Sequence, residues 1–539
     1  MEIKRYIPFI IFLSIFSLLL GCAKQESRVV QGNRAQILHK GNGQEPEDLD
    51  PHIINGISEY NIISALLEGL VSEDPQTLQP IPGIAEYWEI SDDRRVYTFY
   101  LRPDAKWSNG DSVTASDFAF SYRRILSPKL GSTYAYMLYP LQHAKSFHEG
   151  SITDFTQVGV KAINDQILQL TLTHPTPYFL SLLNHWTWLP VHPATILKFG
   201  KIHQRGTIWT RPKNFVGNGP FILDIWKVDQ VIIVKRNEQY WDADTVRLNA
   251  IHFYPIGNPT TEERAFRAGK LHITHQLAFN KIEVYQQQQP ECLRIDPYLA
   301  TYFYCINVNR PPLDNPKVRQ ALALAIDRKS IVENVLKGGQ KPALYFTPPN
   351  TAGYTSETSM TPNLQKATQL LAEAGYPNGT GFPKIELLYN TSENHRTIAE
   401  AIQQMWKKNL HIDISLINQE WKVYINTRRQ QDFDLCRFGW TGDYLDPNTF
   451  LDMWTSDGGN NAAGWSNVMY DKMIEHAAEI SDPNLRFELF QKAENILLTE
   501  LPIIPIYFYT TVYLTQPGVK NWHPTILDHH PYKYVYLEP

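Results

Sequence analysis

Two charged residues of opposite sign, Arg437 and Asp443, flank aromatic and glycine positions in the run Asp434-Leu435-Cys436-Arg437-Phe438-Gly439-Trp440-Thr441-Gly442-Asp443-Tyr444. They match the two ends of a free peptide. A carboxylate at Asp443 can hold an α-ammonium through a charge-assisted hydrogen bond, and the planar fork of Arg437 can meet a terminal carboxylate with two bonds. Between them, Gly439 removes the side chain that would block a second extended chain, so the backbone there can pair with peptide amides. Those amides are alike in every peptide, so such a receiver discriminates little between sequences. The stretch Asp443-Tyr444-Leu445-Asp446-Pro447-Asn448 also reads as turns in which Asp and Asn bond their own backbone. On these residues alone both readings stand.

The elements that must position this run belong to an exported body. Lys4 and Arg5 precede the apolar run Ile7 to Leu20, which ends Leu19-Leu20-Gly21-Cys22. A basic start and a short apolar core describe a secretory signal rather than a membrane span of ~20 residues. The last four residues resemble the bacterial lipobox, which implies cleavage before Cys22 and lipid on its thiol; an uncleaved anchor is the alternative. No other apolar run approaches spanning length. The remainder suggests about three lobes at ~150 residues each. A net charge of -5 leaves no basic footprint, so nucleic acid is not an expected partner. Cys292, Cys305 and Cys436 follow no C-x-x-C pattern; a Cys292–Cys305 bridge and buried thiols are both compatible with export.

Local patterns predict mixed α/β lobes. Val96 to Arg102, Val231 to Val234 and Lys384 to Tyr389 read as strands, and the run from Asp434 as a strand with its following turn. Thr114 and Asp117 fit a capping box opening a helix with Phe118, Tyr122 and Ile125 at helical spacing. Asn315-Pro316 opens a helix with Val318, Ala321, Leu322 and Ala325 on one face, and Thr361-Pro362 opens another that Gly375 ends. The tract Gln286 to Gln289 reads as a solvated helix end.

With these runs go Lys106-Trp107-Ser108-Asn109-Gly110-Asp111, Gly217-Asn218-Gly219-Pro220-Phe221, Lys235-Arg236-Asn237-Glu238-Gln239-Tyr240-Trp241, Val318 to Arg328, Gln419-Glu420-Trp421 and Leu501 to Tyr507. In this order, over nearly the whole mature chain, they resemble the extracytoplasmic solute-binding proteins of bacterial peptide ABC importers, oligopeptide-binding type. The resemblance implies a periplasmic-binding-protein-like α/β fold: two main lobes joined by a hinge, plus a third, inserted lobe, with mixed sheets flanked by helices. The first lobe would comprise residues 22–69, 194–273 and 512–539, the inserted lobe 70–193 and the remaining lobe 274–511. It also implies a non-enzymatic, monomeric, lipid-anchored receptor without cofactor or metal, at the cell envelope facing the periplasm or exterior. Its partners would be short peptides and a permease with cytoplasmic ATPases.

The resemblance assigns the peptide amine to Asp443, the backbone and pocket wall to Gly439, Trp440 and Tyr134, and the peptide carboxylate to Arg437, His395, Arg310 and Arg428. Each has a structural alternative. Trp440 and Tyr134 are also ordinary packing aromatics, Arg428-Arg429 a solvated helix face, and His395 a helix-start histidine. Arg310 departs from the lysine common at that place. Within the family, a binder of dipeptide, murein tripeptide, or a nickel or haem ligand is the alternative; His174, His185, His192 and His529-His530 are scattered along the chain. An exported hydrolase is disfavoured because G-x-S-x-G, S-x-x-K and H-E-x-x-H are all absent.

Overall fold

The computed structural model describes residues 26–539, apart from positions 457 and 481 and the side chain of Lys422. The predicted signal and Cys22 lie outside the described residues. Three larger sheets organise the chain. The first runs Ile37–Gly41, Ala250–Tyr254, Val231–Arg236, Phe221–Lys227, its first pair parallel and the others antiparallel. The second is antiparallel, in the order Ala85–Ile90, Val96–Leu101, Ile167–Thr171, Val160–Asn164. The third has six strands: Lys341–Pro342, Ile503–Leu514, Leu293–Ile306, Leu435–Thr441, Ile385–Asn390 and Ile414–Gln419.

One apolar core joins the first two sheets: Leu38, Ile251 and Phe253 share it with Phe99, Leu168 and Trp188. A buried ion pair reinforces the union. Arg124, on the helix Ala115–Ile125 of the second lobe, donates two hydrogen bonds to Asp50, at 2.8 and 2.5 Å. The six-stranded sheet instead carries its own apolar layers, one on each face. The first two lobes therefore form one block and the third another, as a core sealed at crystal-like density resists internal shear.

Two segments pass side by side between the blocks. Thr274 N–H donates to Leu514 O at 2.9 Å, and Leu277 N–H to Val512 O at 2.8 Å. Glu262 braces this crossing by accepting the N–H groups of His275 and Gln276, at 2.7 and 3.2 Å.

The capping box at Thr114 and Asp117 forms, and Asn315 caps the helix Pro316–Leu324. The helix expected from Thr361-Pro362 starts later, at Leu364, because the Asn363 side chain accepts from Lys366 N–H and takes the cap. Cys292 and Cys305 are separate buried thiols, and Cys305 instead stands opposite Cys436 on the neighbouring strand. No helix among the described residues is long and apolar enough to cross a membrane.

Candidate functional site

The strand Leu435–Thr441 has two different edges. Along one it pairs with Leu293–Ile306 throughout its length, from Ile306 opposite Leu435 to Ala300 opposite Thr441. Along the other it meets Ile385–Asn390 only at Leu435 and Cys436. Parity then decides which groups face the open part. Gly442 N–H donates to Leu299 O at 2.8 Å, so even-numbered residues turn their backbone to the paired side. Arg437 O points the other way and accepts from the Tyr424 hydroxyl. The N–H and C=O groups of Gly439 and Thr441 therefore face an edge with no ladder partner among the described residues. An extended peptide can add there as a strand.

The same alternation sorts the side chains. Arg437, Gly439 and Thr441 stand on one face, while Cys436, Phe438 and Trp440 enter the core beneath. Trp440, expected as a pocket wall, is on the far side of the sheet from Arg437. It steadies the following turn by donating Nε1–H to Thr449 O at 2.5 Å. Gly439 keeps the open face clear: a Cβ there would sit 3.0 Å from the Tyr509 hydroxyl and 3.2 Å from Arg437 Nη2.

Arg437 is a cation without a carboxylate among the described residues. It donates to the Tyr509 hydroxyl at 2.7 Å and lies 4.9 Å over the Tyr302 ring, while its Nε is buried without a partner. His395, near the start of the helix Glu393–Leu410, stacks obliquely against Tyr302 at 5.7 Å. Burial, and then the charge of Arg437, hold its imidazole well below the usual range, so it is neutral. His395 Nδ1 and the Tyr302 and Tyr304 hydroxyls are likewise buried without partners. A fixed positive charge ringed by unused polar atoms suits an anion.

The opposite end is a carboxyl group without a charged partner among the described residues. The Asp443 side chain is only 11% exposed, and its nearest basic neighbour is His185 Nε2 at 3.7 Å, from the second lobe. That histidine is neutral, since burial and then His529 depress its pKa well below the usual range. Its Nδ1 faces the Thr187 N–H and hydroxyl, which leaves Nε2 to carry the proton toward Asp443. Burial, with Asp452 adding repulsion, pushes the Asp443 carboxyl up to about 8.

Tyr134 closes this end from the second lobe, its ring 5.5 Å from His185 and 5.5 Å from Trp186. Burial and then the charge of Asp443 raise its phenol above the usual range. Arg428 lies 4.0 Å over Phe438, at the end of the helix Trp421–Arg429, with no carboxylate partner among the described residues. Arg310 is placed apart, its charge engaged by Asp432 at 2.7 Å and Asp434 at 3.3 Å. The structure thus gathers Asp443 with Tyr134, and Arg437 with Gly439 and His395. It adds Tyr302, Tyr509 and Asp452, which were not anticipated, and His185, which had been noted only as a scattered histidine. Lobe contacts are made across the cleft: Tyr178 stacks on Tyr444 at 4.6 Å, and Asn460 Nδ2 donates to the Tyr136 hydroxyl at 3.3 Å. Among the described residues no group of three or more His, Cys, Asp or Glu is placed to hold a metal ion.

The chain resembles known proteins along most of its length. The chain is 38% identical over 502 residues to the periplasmic oligopeptide-binding protein OppA of Salmonella typhimurium, covering 90% of each. It superposes with a TM-score of 0.85 on the murein tripeptide binding protein MppA of Escherichia coli, at 36% identity, covering 93% of this chain and 98% of that one. Against an unliganded open form of MppA the score falls to 0.71, with 93% and 97% covered. The Haemophilus influenzae OppA complex with RPPGFSPFR also matches at 0.85, with 35% identity and 94% and 99% covered. Residues 79–462 match the model for bacterial extracellular solute-binding proteins, family 5 Middle. With that match spanning most of its length, the chain belongs to family 5 of the bacterial extracellular solute-binding proteins.

Proposed function

We propose that this protein captures short peptides between its two blocks and delivers them to an ABC permease. The observation that carries this reading is the open strand edge at Gly439 and Thr441, with a buried arginine lacking a carboxylate at one end and a buried carboxyl lacking a cation at the other. The peptide would add to the edge, its ammonium on Asp443 and its carboxylate on Arg437 with His395. Five residues, the last of them just past the strand, separate the two anchors, and at ~3.3 Å per residue, less the inward reach of the arginine, this suits roughly three to five residues. Arg428 is available to a longer ligand. Tyr134 supplies the second lobe's contact.

Binding would be coupled to closure by the cost of burying Asp443. With the lobes together and no ligand, the carboxyl is held protonated; an arriving ammonium makes the closed form favourable, which shifts the population toward it. Energy for transport belongs to partners, because the sequence has no G-x-x-x-x-G-K-[ST]. The basic start and the Leu19-Leu20-Gly21-Cys22 stretch support export and a lipid tether at Cys22. The boundaries expected at residues 70, 194, 274 and 512 serve as the proposed lobe limits.

Native mass spectrometry of the protein purified without unfolding tests the reading directly. Co-purified masses that fragment as peptides of a few residues are the expected result. Ligand-stripped protein that fails to bind any tri- to pentapeptide in calorimetry would overturn it.

A further inference from the structure

The amine end gathers two carboxyl groups, Asp443 and Asp452, with no side-chain cation beside either among the described residues, and burial pushes them up to about 8 and about 7. Asp452, on the turn after Asn448–Leu451, is only partly covered and accepts from Asn448 Nδ2 at 3.1 Å and from the Tyr444 hydroxyl at 3.4 Å. No cationic side chain pairs with it among the described residues. Arg486, the cation of this region, is fully used by Asp446, with contacts of 2.6 and 2.8 Å. Asp443 likewise has only a neutral histidine near it.

Three further features tie Asp452 to the cleft. Asn448, 5% exposed and already bound to Asp452, leaves its own Oδ1 buried without a donor. The stacked pair Tyr178 and Tyr444 bridges the two blocks beside that amide, and Asn448 Nδ2 donates to Tyr178 as well, at 3.3 Å. Tyr136, on the second lobe, senses both acids: after burial, Asp443, Tyr134 and Asp452 are what raise its phenol. A ligand cation reaching this corner would find a carboxyl bound only by an amide and a phenol, and an amide oxygen with no donor.

Resting on the peptide-binding reading above, we infer that Asp452 and Asn448 form a subsite for a cationic side chain on the first residue of the peptide, so that lysine, arginine or a diamino acid is preferred there. The ammonium of that residue goes to Asp443, and its side chain runs to Asp452 and Asn448 Oδ1. Burying two carboxylates against two cations leaves the corner neutral, whereas an apolar first residue leaves one acid in a closing cleft.

Calorimetry with Lys-Ala-Ala and norleucine-Ala-Ala tests this, since the two differ only at the tip of the first side chain. The parent protein is expected to prefer the lysine peptide by about 10-fold or more. Asp452→Asn keeps an acceptor for Asn448 and Tyr444 and relieves the repulsion on Asp443, so it is expected to abolish that preference by weakening Lys-Ala-Ala while norleucine-Ala-Ala binds more tightly than to the parent. Equal affinity of the parent for both peptides overturns the subsite, whatever the variant does. A variant that retains the full lysine preference also overturns it. If neither peptide binds the parent while an unrelated solute does, the peptide reading itself fails and the subsite with it.

Discussion

Replacing Asp443 by Asn keeps the shape of the amine end and removes its charge. The size of the effect can be worked from the structure. An ammonium and a carboxylate at about 4 Å attract by ~4 kcal/mol at an effective dielectric of about 20. Against this stands the cost of ionising a carboxyl pushed up to about 8, which at pH 7 is ~1.4 kcal/mol. The difference, roughly 3 kcal/mol, corresponds to a loss of about 100-fold in Kd for a tripeptide on Asp443→Asn. The pH dependence has a definite sign. Because the carboxyl is held above its usual range, its ionisation becomes cheaper as pH rises toward 8, while the peptide amine begins to lose its proton near ~8. Affinity of the parent should therefore climb between pH 6 and 8 by up to ~10-fold per unit, then decline; the variant should be nearly flat below pH 7. Isothermal calorimetry in two buffers of different ionisation heat checks the mechanism, since binding at pH 7 should release a proton. A variant within about threefold of the parent, or a flat parent profile, would refute the assignment of the amine to Asp443.

Arg437→Met should weaken tripeptide binding by roughly 30-fold or more, as expected when one member of a buried charge pair is removed. A C-terminally amidated peptide should show a similar loss on the parent and little further loss on the variant. Gly439→Ala places a Cβ against the Tyr509 hydroxyl and Arg437 Nη2, so affinity should drop about 10-fold or more, with a loss of stability of no more than ~1–3 kcal/mol in unfolding. Asp50→Asn leaves the fully buried Arg124 without its partner, and thermal or urea unfolding should show a loss of ~3–5 kcal/mol. Burial alone would raise the Asp50 carboxyl, but Arg124 outweighs it and holds it below its usual range. Its contribution is therefore present above the unfolded pKa of ~3.9 and disappears as pH falls below it, a loss that the variant should not show.

What was legible in the sequence was local. The strand through Leu435–Thr441, its opposed charges at Arg437 and Asp443, and the helix caps at Thr114 and Asn315 are each written within a few residues, so propensity and spacing suffice to find them. Trp440 was misplaced although its parity was readable: on a strand, position 440 lies opposite 437. His185 and Asp443 are more than two hundred residues apart and meet only when the lobes close, so no window contains both. Asp452 belongs to no motif in the sequence; only its missing cation, a property of three dimensions, marks it out. Arg310 carried the right charge at an expected place, but Asp432 and Asp434 had already claimed it.

An unsatisfied strand margin is ordinarily a hazard, because any passing chain with the right backbone can zip onto it and start a polymer. Here the vacant margin is a few residues long, is stoppered at one end where Tyr424 holds the Arg437 carbonyl, and lies between the two blocks. The guest proposed for it is a loose fragment with two free tips. On the proposed peptide reading, the molecule would thereby confine the stickiness of an incomplete sheet to guests small enough to be swallowed whole.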